Sequence, residues 1–130
     1  DAADTLAEST VTVSAGTYAV VKTDQPDHDA FATISDGREI TVVADSDAYD
    51  DDHAIEVEDG WRRLTFDVVL PFELVGFLAR VATALADADV SIFALSAYST
   101  DHVFVKDADM ERARATLTAL GCTVDENHRP

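Results

Sequence analysis

WRRLTFDVVLPFELVGFLARVATALADADVSIFALSAYSTDHVFVK, running from Trp61 to Lys106, decides the fold. Its first ten residues alternate, with Leu64, Phe66, Val68 and Leu70 on one face, the period of a half-buried strand, and Pro71 closes the run. The period then changes. Leu74, Leu78, Val81 and Leu85 recur at helical spacing, and Phe77 and Ala82 widen the stripe into a face able to cover a sheet, which predicts an amphipathic helix of about four turns. Val90 to Tyr98 reads as a buried strand, and His102 to Lys106 as its hairpin partner across Ser99, Thr100 and Asp101.

Outward toward the C-terminus, Asp107 is placed to cap a second helix. Met110, Ala113, Leu117 and Leu120 form its apolar stripe, and Gly121 stops it. Cys122 to Val124 supply a last short strand, and the tail from Asp125 to Pro130 is expected to fray. The order is β-α-β-β-α-β, an α+β chain of the ferredoxin-like class.

Outward toward the N-terminus the pattern is fainter. Strand signals occur at Val11 to Val13, Tyr18 to Lys22, Phe31 to Ser35 and Glu39 to Ala44, with Asp36-Gly37 as a hairpin turn and a further short strand at Ala54 to Val57. Only short acidic pieces, Pro26 to Ala30 and Ser46 to His53, stand where crossover helices belong. The expected organisation is a degenerate first copy of the same unit over 1–58, joined through Glu58-Asp59-Gly60 to a second copy over 59–125, with 126–130 as a frayed tail.

Charge narrows the function. The 130 residues carry 26 acidic and 9 Lys or Arg side chains, net −17, which excludes phosphate-backbone binding and disfavours anionic membranes, so neither a nucleic-acid nor a membrane partner is expected. Such self-repulsion is relieved by concentrated salt, and the acids are mostly Asp while Lys occurs only at Lys22 and Lys106; the composition predicts a halophilic protein. Cys122 is the single cysteine, which precludes an internal disulfide, and the start of the chain lacks the order of a signal peptide; together these predict a reducing cytoplasm.

The stretch from Leu74 to Lys106 resembles an ACT domain, through Gly76, Leu78, Leu85, Ala86, Ile92, Ser96 and Val105. More narrowly, Tyr98-Ser99-Thr100-Asp101 before an apolar strand, and Gly60 to Leu64 as the entry to the second copy, are similar to small paired-ACT proteins of prokaryotes and to the related animal cytosolic arginine sensors. The resemblance covers about residues 60–121. It implies a non-catalytic regulatory module that binds an amino acid or similar small metabolite and pairs into a homodimer.

A free amino acid presents a carboxylate, an ammonium and a side chain. Gly76, near the start of the first helix, offers backbone N–H groups and room for a carboxylate. Asp101 can accept from an ammonium and Thr100 adds a hydroxyl. Glu73, Leu74 and Val75 complete the candidate ligand-binding set, although Glu73 is also an ordinary first-turn acid and Phe72 and Leu74 read first as core. For Asp101 the plain alternative is an acid that satisfies its own turn, and for Gly76 it is close helix packing. The interface between the two copies is an alternative place for the ligand.

Other chemistries have less support. Asp50-Asp51-Asp52-His53 lacks the glycine and terminal glutamate of a calcium loop and reads as a solvated acidic run, so no metal is expected. His28, His53, His102 and His128 form no motif and Cys122 reads as a small buried residue, so neither catalytic residues nor a cofactor are expected. A partner-binding module without a metabolite remains the competing class, because sheet edges pair readily.

Overall fold

The computed structural model describes residues 2–67 and 76–126. Along the chain run α1 (Ala2–Ala7), β1 (Thr10–Val13), β2 (Tyr18–Thr23), β3 (Ala32–Ser35), β4 (Ile40–Asp45), β5 (Ala54–Phe66), α2 (Phe77–Asp87), β6 (Ile92–Ser96), β7 (Asp101–Lys106), α3 (Met110–Ala119) and β8 (Thr123–Glu126). The expected Val68, Leu70 and Pro71 end of β5 lies outside the described residues, and the described part of α2 has eleven residues, three turns.

The chain forms two compact units: Gly16–Trp61, and Asp1–Ala15 together with Arg62–Pro130. In the larger, β5 pairs with β7 and β1, β7 pairs with β6, and β1 runs antiparallel to β5 and parallel to β8. The β-α-β-β-α-β order read from the second half is therefore present, with β1 inserted between the first and last of its strands. Period 2 explains which residues are buried: Leu64 and Phe66 on β5, Val103 and Val105 on β7, Val11 and Val13 on β1 all enter one core. Phe77, Val81 and Leu85 from α2, and Met110, Ala113 and Leu117 from α3, close it. This is the stripe that helical spacing predicts.

α1 has no counterpart in the sequence reading, since AADTLA carries one large apolar side chain. Leu6 is that residue, 1% exposed in the same core, and the Cys122 thiol donates to its carbonyl at 3.3 Å. Burial also pushes the Cys122 thiol up from its ordinary pKa, as an inert structural thiol requires. Gly121 sits at φ +99°, and a Cβ there would lie 3.0 Å from the Ala7 Cα, so both backbone conformation and the approach of α1 demand glycine.

The expected boundary between copies at Glu58/Asp59 falls inside β5, which is one continuous strand of thirteen residues where the sequence suggests two. Gly60, at φ +86°, is a kink within the strand rather than a turn between strands, and the pairing of β2 with β5 shifts register between Tyr18 and Val20 beside it. The compact units divide three residues later, between Trp61 and Arg62. Two further corrections are local. Asp107 opens a 3₁₀ turn, Asp107–Asp109, without capping it, and its carboxylate takes a hydrogen bond from Arg62 at 3.0 Å. β8 extends through Glu126, one residue into the stretch expected to fray; 127–130 lie outside the described residues.

In the smaller unit the strands lie in the order β3-β4-β2-β5, all antiparallel, and Asp36-Gly37 makes the β3–β4 turn, closed by the Asp36 N–H on the Glu39 carbonyl at 3.3 Å. Among its described residues there is no α-helix; Asp51–His53 is a single 3₁₀ turn. Ala19, Val21, Val42 and Ala44 form its small core.

Candidate functional site

The site begins at the C-terminal end of β5. The Thr100 hydroxyl donates to the Phe66 carbonyl at 2.8 Å, and the Phe66 ring meets the Phe77 ring edge to face with centroids 5.2 Å apart. Two elements distant in sequence are thereby fixed beside one residue: the β6–β7 turn, and the first turn of α2, which follows Gly76 directly.

Gly76 is exposed at φ +88°, and among the described residues a Cβ added to it would meet nothing within 4 Å. The positive φ gives this glycine a conformational reason, because a side chain is strained in the left-handed region. Among the described residues α2 has no side-chain cap; the Gly76 carbonyl accepts the Arg80 N–H at 2.9 Å, and helix geometry leaves the first-turn N–H groups of Phe77, Leu78 and Ala79 without intrahelical acceptors. These donors and the helix dipole favour an anion.

Asp101 is the first residue of β7, opposite Ser96 on β6, and not a member of the turn as the sequence suggests. The turn is shorter because the Ala97 N–H reaches the Thr100 carbonyl at 2.8 Å. Half-buried Asp101 accepts the Ser96 hydroxyl on Oδ1 at 2.7 Å. Its carboxylate is thus oriented by a cross-strand partner rather than by its own turn backbone, and retains acceptor capacity on the other oxygen. Thr100 directs its hydroxyl to Phe66, which makes it a positioning residue for this turn. Glu73, Leu74 and Val75, with Phe72, lie outside the described residues.

His102 was absent from the sequence-derived site. Its Nδ1 lies 3.0 Å from the Thr65 hydroxyl on β5. Burial holds its pKa below the ordinary histidine value, the Arg63 charge adds to that, and Asp101 opposes it. The sequence signal was the period of β7: His102 and Phe104 alternate with the core residues Val103 and Val105, which places the imidazole on the sheet's other face.

Arg62, expected in an entry segment, is a tie-point at the other end of this part of β5. Its guanidinium donates to the Ser14 carbonyl at 2.8 and 3.1 Å, to Asp107 at 3.0 Å and to Glu126 at 2.8 Å, and Arg114 also donates to Glu126. The Asp50–His53 run is likewise structural: Asp50 Oδ1 accepts the Asp52 N–H at 3.0 Å, and His53 Nδ1 lies 2.8 Å from Asp24. Among the described residues no three His, Cys, Asp or Glu side chains are placed to hold a metal ion, and no helix is long and apolar enough to cross a membrane.

With helix, hairpin and second helix laid on one sheet in this order, the larger unit has the ferredoxin-like arrangement, and about half of the chain is similar to a known family. Residues 56–119 match the ACT domain. ACT domains are regulatory modules, often for amino acids. Structurally the chain is similar to a protein of Agrobacterium tumefaciens (TM-score 0.80, 21% identity, 93% of this chain and 95% of that one). It is also similar to a Vibrio cholerae protein of unknown function (TM-score 0.76, 22% identity, 92% and 94%). The ligand-free regulatory subunit of aspartate kinase from Thermus thermophilus superposes with a TM-score of 0.60 at 11% identity, over 85% of this chain and 95% of that subunit. At these identities the likeness is one of fold, an α+β ACT-like ferredoxin fold. No curated protein matches the sequence.

Proposed function

We propose that the chain is a non-catalytic regulatory module whose larger unit binds a free amino acid or a similar small metabolite at the start of α2 and the start of β7. The observation that carries this reading is the pairing of a helix start that has no side-chain cap among the described residues, behind exposed Gly76, with an oriented carboxylate at Asp101, both built around Phe66. The ligand carboxylate takes the first-turn N–H groups and its ammonium takes Asp101. The ACT match over 56–119 and the regulatory subunit of aspartate kinase among the similar folds support the class. The narrower likeness to paired-ACT proteins, with 1–58 as a degenerate copy, and to animal arginine sensors rests on the Gly60–Leu64 and Tyr98–Asp101 motifs.

A thermal-shift screen of the twenty amino acids in molar KCl tests the proposal. One or a few related amino acids stabilise the protein, by about 2.7 kcal/mol at 100 times Kd. Asp101→Ala weakens that binding at least tenfold while the protein stays folded; parental affinity in that variant removes Asp101 from the site.

A second reading, self-association without a metabolite, is favoured by one feature. β3 is an edge strand whose residues, Ala32-Thr33-Ile34-Ser35, include neither charge nor proline, and Ile34 is 44% exposed. Sedimentation of the free protein separates the readings: a dimer indifferent to every metabolite supports the second. A halophilic, reducing interior is the proposed setting, and dilution from molar to millimolar KCl lowers the melting temperature; an unchanged melting curve removes the salt argument.

A further inference from the structure

One face of the smaller unit's sheet is covered in an unusual way. Ala19 and Val21 of β2 and Ala44 and Val42 of β4 bury their side chains on it, yet among the described residues the cover is supplied by the segments 24–31 and 46–53, not by an α-helix. Loops cover less apolar surface than a helix does. A cavity of about 360 Å³ remains, with Val21 and Val42 at its base, the half-buried Tyr49 ring at its side and the carboxylates of Asp27, Asp29 and Asp50 at its rim. A neighbouring hollow of about 280 Å³ shares Asp27, Asp29 and Ala48 with it.

The volume is within the usual range for small-molecule sites and far above the roughly 30 Å³ share of a single water, so the cavity suits an organic molecule rather than a bare ion. Carboxylates dominate its charge, beside the imidazoles of His28 and His53 in the lining, and Asp27 Oδ1 accepts the Asp29 N–H at 2.9 Å. Between Gly16 and Trp61 there are thirteen carboxylates against two Lys or Arg side chains. Those two pair elsewhere, Lys22 with Glu39 at 4.0 Å and Arg38 with Asp36 at 3.5 Å, so among the described residues the rim carboxylates have no Lys or Arg partner. The nearby imidazole of His53 is turned to Asp24 at 2.8 Å and lies 3.8 Å from Asp50.

We propose that this cavity binds a short alkylammonium compound, with diammonium compounds favoured because carboxylates come from both covering segments. The alkyl chain lies on Val21 and Val42, an ammonium group is met by Asp27 and Asp29 at one segment and Asp50 at the other, and the Tyr49 face adds a cation–π contact. This is a second binding function, in a different unit from the amino-acid site and independent of it.

The test is calorimetric titration of the 130-residue chain in molar KCl with 1,4-diaminobutane, butylamine and MgCl₂. High salt suppresses general attraction to a chain of net charge −17 and leaves direct contacts. The proposal predicts saturable diamine binding, weaker butylamine binding and none for Mg²⁺ at equal charge. Asp29→Asn combined with Asp50→Asn raises the diamine Kd at least tenfold; asparagine at position 50 retains the capping acceptor, so the fold is kept, as circular dichroism verifies. Asp101→Ala leaves diamine binding unchanged, which separates this site from the other. Equal binding of Mg²⁺, parental affinity in the double variant, or no diamine binding by the folded protein each overturns it.

Discussion

The two units use similar strands and differ in what covers them. In the larger, three helices lie on the core built by β1, β5 and β7, and fifteen residues are buried together, from Leu6 to Cys122. In the smaller, four buried residues, Ala19, Val21, Val42 and Ala44, stand under loops rich in Asp. Burial of apolar area is the dominant stabilising term, so the larger unit holds most of the stability, whereas the smaller trades packing for an open, charged cavity. The lesson is that covering a sheet with loops in place of helices leaves its core face a recessed surface.

Core truncations break the comparison with the largest effect. Leu85→Ala, at a fully buried position of α2, is expected to cost about 3–5 kcal/mol, whereas Val42→Ala in the smaller unit costs about 1–2.5 kcal/mol because less packing surrounds it. Chemical denaturation in molar KCl checks both, and equal losses would erase the distinction between the units. Gly121→Ala follows, at about 1–3 kcal/mol, because it adds a left-handed alanine and a contact at 3.0 Å to the α1 backbone. A neutral result would mean that α1 does not press on this turn.

The smallest effect is on pH dependence. The folded-state pKa of His102 lies below the unfolded value of about 6.5, so the unfolded chain binds its proton first as pH falls. Stability from this group is present above that value and declines as pH drops toward the folded pKa. His102→Asn therefore flattens the pH profile just below pH 6.5; an unchanged slope would assign the decline to other groups.

What the sequence made legible followed from local period. Alternation located the strands, helical spacing selected Phe77, Val81, Leu85, Met110, Ala113 and Leu117 as core, and Asp36-Gly37 marked its turn. What it hid were long-range pairings. β1 reads as part of the first half, yet its partners are Leu64 to Phe66 and Thr123 to Glu126. Glu58-Asp59-Gly60 has the composition of a turn, but pairing with β2 keeps it in a strand. The candidate site divides in the same way. Gly76, Thr100 and Asp101 were visible because a glycine before a helix and a polar turn are local features. His102 was not, because Thr65 is 37 residues away from it, and outside the site the Arg62 tie-point was hidden in the same way, Ser14 being 48 residues away.

The most direct test of the regulatory-site claim is an amide NMR titration of the 130-residue chain in molar KCl with the amino acid that stabilises it most. The account predicts chemical-shift changes centred on Gly76 to Ala79 and Thr100 to His102, lost in Asp101→Ala. Shifts confined to 16–61, or none at saturating amino acid, would contradict it.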